Sequence, residues 1–384
     1  MKYIAIKMLI GDTAKYIGIL VGLTFASLLI TQQSAIFVGI MSRTYGFLRD
    51  TGLPDIWVMD EKVQFIDDIK PMQDTDLYRV RSVEGIMWAV PLYKGLIRAR
   101  MDSGNFQTCN VIGIDDSTLI GGPPKMLEGS LVDLRIADAV IINAVGAKDK
   151  LARVLPDGTK IPMKVGDRME LNDHRAVVVG ICDVTRTFQS QPVVYMTYTR
   201  ATTFAPQERK LLSFICVKAK PGEDLQIVCN RIAEKTGLAA RTTEQFKDVT
   251  VEYFMKFTGI PINFGMSVIL GFIVGTAIAG QTFYSFTLDN LRFFGTFKAM
   301  GATNKLLLSM IILQSLIVGT IGYGLGVGIA SLFGLLTKKT ELSFLMPWQL
   351  MLFSAAAIIL ICGGSALVSI HKVIKLEPAI VFKS

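Results

Sequence analysis

Four stretches of this chain, residues 16–42, 257–288, 306–337 and 342–370, contain no Asp, Glu, Lys or Arg. Crossing about 30 Å of hydrocarbon at about 1.5 Å per residue takes roughly 20 residues, so each run is long enough to span a bilayer as a helix. One charge at mid-bilayer costs about 2.5–3.5 kcal/mol on the insertion scale. With 19% of the residues charged, four such runs are not a chance pattern, and a mean hydropathy of +0.45 agrees with them. The expectation is a membrane protein with four transmembrane α-helices and one large domain, residues 43–256, inserted between helices 1 and 2.

The formal charge of +8 would also suit a nucleic-acid binder, but its distribution argues against one. Residues 43–256 hold 29 basic and 28 acidic residues, whereas the membrane-flanking segments hold 11 basic and 4 acidic. Basic residues therefore follow the membrane. Lys2, Lys7 and Lys15, then Arg292, Lys298 and Lys305, then Lys372, Lys375 and Lys383 fall on one side of a chain that crosses four times. By the positive-inside rule that side is the cytoplasm, which places both termini inside and residues 43–256 outside a bacterial inner membrane. The short outer loop 338–341, with Lys338 and Lys339, weakens this asymmetry without reversing it. The first run is too long for a signal-peptide core and is expected to stay as an anchor.

Residues 1–15 place Ile4, Ile6, Met8, Leu9 and Ile10 among lysines, which suggests an amphipathic helix in the cytoplasmic interface. In the outer region, "PDIWVMD" reads as a strand, residues 73–82 as a helix, and "GIMWAVPLYKGLIRARM" with "FQTCNVIGID" as a strand pair. Short strands between turn dipeptides then suggest a β-rich subdomain over about 116–205, after which "LSFICVKAK" and "DLQIVCNRIAEKTG" return to strand and helix. Residues 243–257 read as a helix leading to the second span. The sum is a large α+β domain. Cys109, Cys182, Cys216 and Cys229 lie in it and Cys362 in the last span. Disulfides and buried thiols both remain open, because nothing in the spacing selects a pairing.

Gly18 and Gly22, Gly271 and Gly275, and Gly324 and Gly328 are each four apart, a spacing that lets helix backbones approach closely in lipid. The spans offer only uncharged polar groups such as Gln32, Gln33, Gln281 and Gln314, so a proton or sodium gradient has no ionisable relay to act through. No Gly-Lys dipeptide occurs, which excludes a Walker A loop, and motifs for metalloprotease, thiol-redox or serine-hydrolase chemistry are absent. His174 and His371 are too few for a histidine metal site, and the adjacent acids Asp67–Asp68 and Asp115–Asp116 read as solvated charge. The expectation is a non-catalytic chain with no metal and no cofactor of its own.

Between the second and third spans, residues 289–305 are the cytoplasmic loop. "LRFFGTFKAMGATNK" presents Leu291, Phe294, Phe297 and Met300 on one helical face, interrupted by Arg292 and Lys298, with Gly301 at the stop. The loop, together with "DAVIINAVGAKDKLA", "KVGDRMELNDHRAVVVGI" and the tail "HKVIKLEPAIVF", resembles the permease subunits of MacB-like and FtsX-like ABC transporters, of the DevC type, over nearly the whole chain. Phe293 stands where that family commonly has glutamate.

This resemblance implies a MacB-like periplasmic core as the outer domain and a homodimer of four-helix permeases. It implies a coupling helix seated on a separate ATPase that binds the ATP and Mg. Leu291, Arg292, Phe294, Gly295, Lys298, Ala299, Gly301 and Ala302 are the residues expected to couple. A periplasmic adaptor and an outer-membrane channel are expected partners beside membrane lipid; nucleic acid is not. Two readings compete: an export permease moved by ATPase strokes, and an FtsX-like transducer that regulates an outer enzyme without moving a substrate. A membrane-anchored sensor without an ATPase is a third.

Overall fold

The computed structural model describes residues 2–101, 104–155, 157–206, 212–338 and 340–374. The chain forms two compact units, one of residues 1–40 with 259–384 and the other of residues 41–258.

In the first unit, α1 (Lys2–Gly11), α2 (Thr13–Thr44, whose last turn belongs to the second unit), α9 (Ile260–Asp289), α10 (Leu291–Ala299), α11 (Asn304–Thr337) and α12 (Trp348–Ile374) follow in order, with the helices between α2 and α9 in the other unit. Four of them, α2, α9, α11 and α12 over Trp348–Leu367, are long and apolar enough to cross a membrane. Polar residues set their ends. Asp12 caps α2, accepting from the Lys15 N–H at 3.3 Å. Thr303 caps α11 by accepting from the Leu306 N–H. The second span starts at Ile260, later than residue 257, because the preceding helix closes at Phe257 and Pro261 opens a new one after Gly259.

The fourth helix starts at Trp348, which corrects the expectation of a span from 342. Pro347 biases the residue before it towards extended backbone. The Leu345 N–H donates instead to the Ala35 carbonyl at 3.1 Å. A second correction concerns α1. Ala5 and Leu9, one turn apart, are buried, and the Ala5 carbonyl accepts from Gln314 Nε2 at 2.8 Å. Tyr3, Ile4 and Ile10 are nevertheless exposed beside Lys7, so the helix is apolar around its circumference and not amphipathic. Of the tail, 371–374 continue α12, while 375–384, with Lys375, Lys383 and the Leu-x-Pro-Ala stretch, lie outside the described residues.

The second unit is built on one ten-stranded sheet. Its elements run α3 (Gly46–Thr51), β1 (Ile56–Met59), α4 (Asp74–Arg81), β2 (Ile86–Arg100), β3 (Phe106–Ile114), β4 (Lys125–Glu128), β5 (Ala139–Asn143) and α5 (Ala144–Lys148). There follow β6 (Arg153–Val154), β7 (Lys160–Ile161), β8 (Arg168–Leu171), β9 (His174–Asp183), β10 (Val193–Thr197), α6 (Tyr198–Phe204), β11 (Phe214–Ala219), α7 (Leu225–Thr236), β12 (Ala239–Thr242) and α8 (Thr243–Phe257). The strand order is β12-β1-β11-β2-β3-β10-β5-β9-β4, with β8 beside β2 and β9, and β6–β7 form a separate hairpin. The β-rich run 116–205 is therefore no separate subdomain. β10 pairs in parallel with β3, so the run continues the sheet that β1, β11 and β2 begin.

Central strands are covered on both faces. Val194 and Met196 of β10 enter one core, and Val193 and Tyr195 enter the other, which is why the strand reads as an unbroken apolar run. At the β1 end, Ile56 and Val58 pack with Val80 of α4 and Val228 and Ile232 of α7. On the opposite face Trp57 meets Phe214 edge-on, with centroids 5.9 Å apart, and packs against Phe246 of α8. Asp224 caps α7 and Thr242 caps α8 with a reciprocal Gln245 bond. His174 opens β9 after a two-residue turn in which Asn172 and Asp173 both take positive φ, and its ring stacks on Phe204.

Candidate coupling surface

Residues 289–305 form a short helix held between two long ones. Asn290 ends α9; its Nδ2 donates to the Phe286 carbonyl at 2.8 Å and its own carbonyl accepts from the Phe294 N–H at 3.1 Å, so α10 leaves α9 through a hydrogen-bonded corner. Asp289, next to that corner, pairs with Lys15, which also holds Asp12 at 3.0 Å. The Lys15 bonds keep the Asp12 carboxyl below its ordinary range.

At the far end the Ala302 N–H donates to the Phe297 carbonyl at 2.9 Å and the Gly301 N–H to the Lys298 carbonyl at 3.1 Å. These are the two bonds of a Schellman stop. Gly301 has φ +91, where an L side chain costs about 1–2 kcal/mol. Ala302 and Phe297 supply the accompanying apolar contact. Thr303 then caps α11. "MGAT" is thus accounted for by backbone geometry: a stop, a contact and a new cap.

An isolated nine-residue helix is marginal in water. Here Phe294 is fully buried, with Leu291 and Phe297 against the same cluster of Ala5, Leu307, Met310, Ile311 and Ala366. Burying one such ring is worth about 1.5–3 kcal/mol, enough to fix α10 in one orientation. The apolar face read from the sequence is divided by this packing. Leu291, Phe294 and Phe297 turn inward with Gly295, while Met300 is 67% exposed. Phe293, Thr296 and Met300, at i, i+3 and i+7, form the outward stripe, with Phe293 57% exposed and Arg292 and Ala299 beside it. Lys298 is half-buried and Gly301 exposed. Phe294 and Gly295 therefore have no surface to offer a partner, and Phe293, absent from the expected coupling set, has the most among the apolar residues of α10. Its signal was its register on one line with Thr296 and Met300, at the edge of the face that Phe297 and Phe294 bury.

The packing glycines divide in the same way. A Cβ at Gly22 would lie 2.4 Å from Ile278, one at Gly275 2.4 Å from Ala26 and one at Gly271 3.2 Å from Leu29, so α2 and α9 meet closely. Gly18 makes only ordinary contact, 3.8 Å from Thr282. On α11, Gly324 and Gly328 are exposed with nothing within 4 Å, so they pack on no other described helix of this chain. The interleaved pair Gly322 and Gly326 packs on α2: a Cβ added there would lie 2.9 Å from Leu23 and 2.5 Å from Ser27. The adjacent acids serve local bonds: Asp115 accepts from Ser117 and Thr118, Asp116 from Thr199, and Asp68 from Gln64. Among the described residues no group of three or more His, Cys, Asp or Glu could hold a metal.

Four helices long and apolar enough to cross a membrane, with a large α+β domain between the first and second, define the class as a multi-pass membrane protein. Residues 17–235, more than half of the chain, match the MacB-like periplasmic core domain, and residues 265–378 match the FtsX-like permease C-terminal region. The chain belongs to the MacB/FtsX family of ABC transporter permeases. It is 23% identical over 314 residues to an uncharacterized ABC transporter permease of Mycobacterium tuberculosis, covering 81% of this chain and 79% of that one. An uncharacterized ABC transporter permease of Methanocaldococcus jannaschii is 26% identical over 218 residues, 52% of this chain and 53% of that one. Among solved structures, the periplasmic region of MacB from Actinobacillus actinomycetemcomitans is similar at TM-score 0.39 and 15% identity, over 52% of this chain and 94% of that one.

Proposed function

We propose that this chain is the membrane subunit of an ABC-type exporter and that α10 seats on a separate ATPase. ATP binding and hydrolysis there, with Mg, would move the inserted domain. The observation that carries the reading is the division of α10: an inner face locked on the bundle and an outer stripe of Phe293, Thr296 and Met300 with Arg292 beside it. A helix fixed along one side transmits a push from the other. Because Phe293 replaces an acid common in the family, the seat on the ATPase is expected to be apolar there and not a salt bridge.

The distribution of basic residues supports both termini and α10 facing the cytoplasm of a bacterial inner membrane, with the inserted domain outside. The exposed Gly324 and Gly328 suit close approach by a second copy, and hence a homodimer. A periplasmic adaptor and an outer-membrane channel would complete the export path. The test is the double substitution Phe293→Ala and Met300→Ala. Loss of two apolar anchors should lower ATPase stimulation at least about tenfold, since such contacts cost upwards of about 1 kcal/mol each, while membrane insertion is unchanged. Full stimulation by that variant would end the docking proposal. Replacing Gly295 should also impair coupling, but by displacing α10, with a lowered thermal stability that the outer-face variant does not show.

A further inference from the structure

The inserted domain contains a cavity of about 320 Å³, within the lower part of the range that small-molecule sites occupy. Its walls carry four aromatic rings. Phe65 stacks on Tyr253 with centroids 4.3 Å apart, and Phe188 lies 5.0 Å from Phe254. Thr187, Gln189 and Gln191 contribute uncharged polar groups to the lining, and Lys94, Asp67 and Asn110 stand beside them. Lys94 is 3% exposed, and among the described residues its ammonium hydrogen-bonds to Asp67 alone, with the Phe47 ring 5.7 Å away. An ammonium has three donors, so two are left for another acceptor. Asp67 has a side chain 42% exposed, so it also remains open to a donor. Asn110, 5% exposed, lies across from Leu96 on the neighbouring strand, and its Oδ1 has no partner among the described residues.

An ion pair that buries its lysine is weak evidence for stability, because apolar side chains of similar volume often serve a core equally well. Its place here, at the wall of an aromatic cavity and beside an acceptor without a donor, points to recognition. A ligand that is only anionic meets Asp67, and one that is only cationic meets Lys94. A zwitterion meets both with the right sign: its carboxylate accepts from Lys94, and its ammonium donates to Asp67 and on the side of Asn110. The rings then take an apolar body. We propose that this cavity binds a free amino acid with a large aromatic or apolar side chain. The site is tied to both segments that lead towards the spans. Tyr253 and Phe254 belong to α8, which continues through Thr258 and Gly259 into α9, and Thr185, near Phe188, donates twice to Asp50 of α3, at 2.6 and 2.8 Å.

The full chain in lipid nanodiscs, titrated calorimetrically with phenylalanine against empty nanodiscs, tests this without any ATPase, so failure here leaves the coupling surface untouched. Phenylalanine should bind, and N-acetylphenylalanine, phenylalaninamide and alanine, which lack the ammonium, the carboxylate and the ring respectively, should each bind at least about tenfold more weakly. Lys94 is buried and its replacement disturbs the core, so Asp67→Asn, on a half-exposed side chain, is the deciding variant. It should weaken phenylalanine about tenfold and leave N-acetylphenylalanine unweakened. No phenylalanine binding, binding no tighter than that of the three analogues, or an Asp67→Asn variant that binds phenylalanine as the parent does would each overturn the proposal.

Discussion

Cys109 of β3, Cys182 of β9, Cys216 of β11 and Cys229 of α7 show how little of a residue's chemistry its spacing decides. Both disulfides and buried thiols suited the sequence; in the fold all four are free and buried in the three cores of the inserted domain. Burial disfavours the thiolate, pushing Cys109 and Cys182 from 9.0 up to about 12 and Cys229 up to about 11, with Cys216 higher still. The sign follows. Above about pH 9 the unfolded chain loses these protons while the folded one keeps them, so stability falls as pH rises. Iodoacetamide should label none of the four in the native protein at pH 8 and all of them after denaturation. Unfolding should grow easier between about pH 9 and 11, and a variant with all four replaced by Ser or Ala should lose part of that alkaline dependence, the rest belonging to Tyr195 and Tyr198, whose hydroxyls burial also pushes up. Rapid native labelling of any of them would contradict the burial.

At the scale of elements, α11 carries two interleaved glycine pairs, Gly322 with Gly326 and Gly324 with Gly328, each at the same spacing. Periodicity makes them equivalent; the neighbouring α2 does not. A Cβ added at Gly326 would lie 2.5 Å from Ser27 Cβ and 2.8 Å from the Leu28 backbone nitrogen, and backbone cannot swing aside. Gly326→Val should therefore cost about 1–3 kcal/mol as an overpacked contact, and Gly328→Val close to nothing in the single chain. Thermal unfolding of the two purified variants checks this, and equal midpoints would contradict it. Long elements were legible because twenty uncharged residues admit few alternatives. Strands such as β10 were legible as apolar runs, but their pairing was not: β10 lies beside β3 although some eighty residues separate them in the chain, and no local pattern encodes that.

For the whole molecule, sidedness is the arrangement on which the proposed coupling depends. Single cysteines introduced at Asn304 or Thr296 should be labelled by a membrane-impermeant maleimide only in opened cells, and one at exposed Glu61 in intact cells, all in a background lacking the natural cysteines. Labelling of Thr296 from outside would invert the topology and remove the ATPase from reach of α10. The sequence by itself determined what solvent the helices must have and how many there are, because the cost of a charge in hydrocarbon acts residue by residue and leaves its record in composition. It also determined that an α+β domain is inserted after the first span. Only the tertiary structure decided which face of α10 is free, which glycines are occupied and which side chains meet around the Lys94 cavity. Those depend on neighbours far apart in the chain, and a helix with apolar residues on two sides gives no internal indication of which one its neighbours will cover.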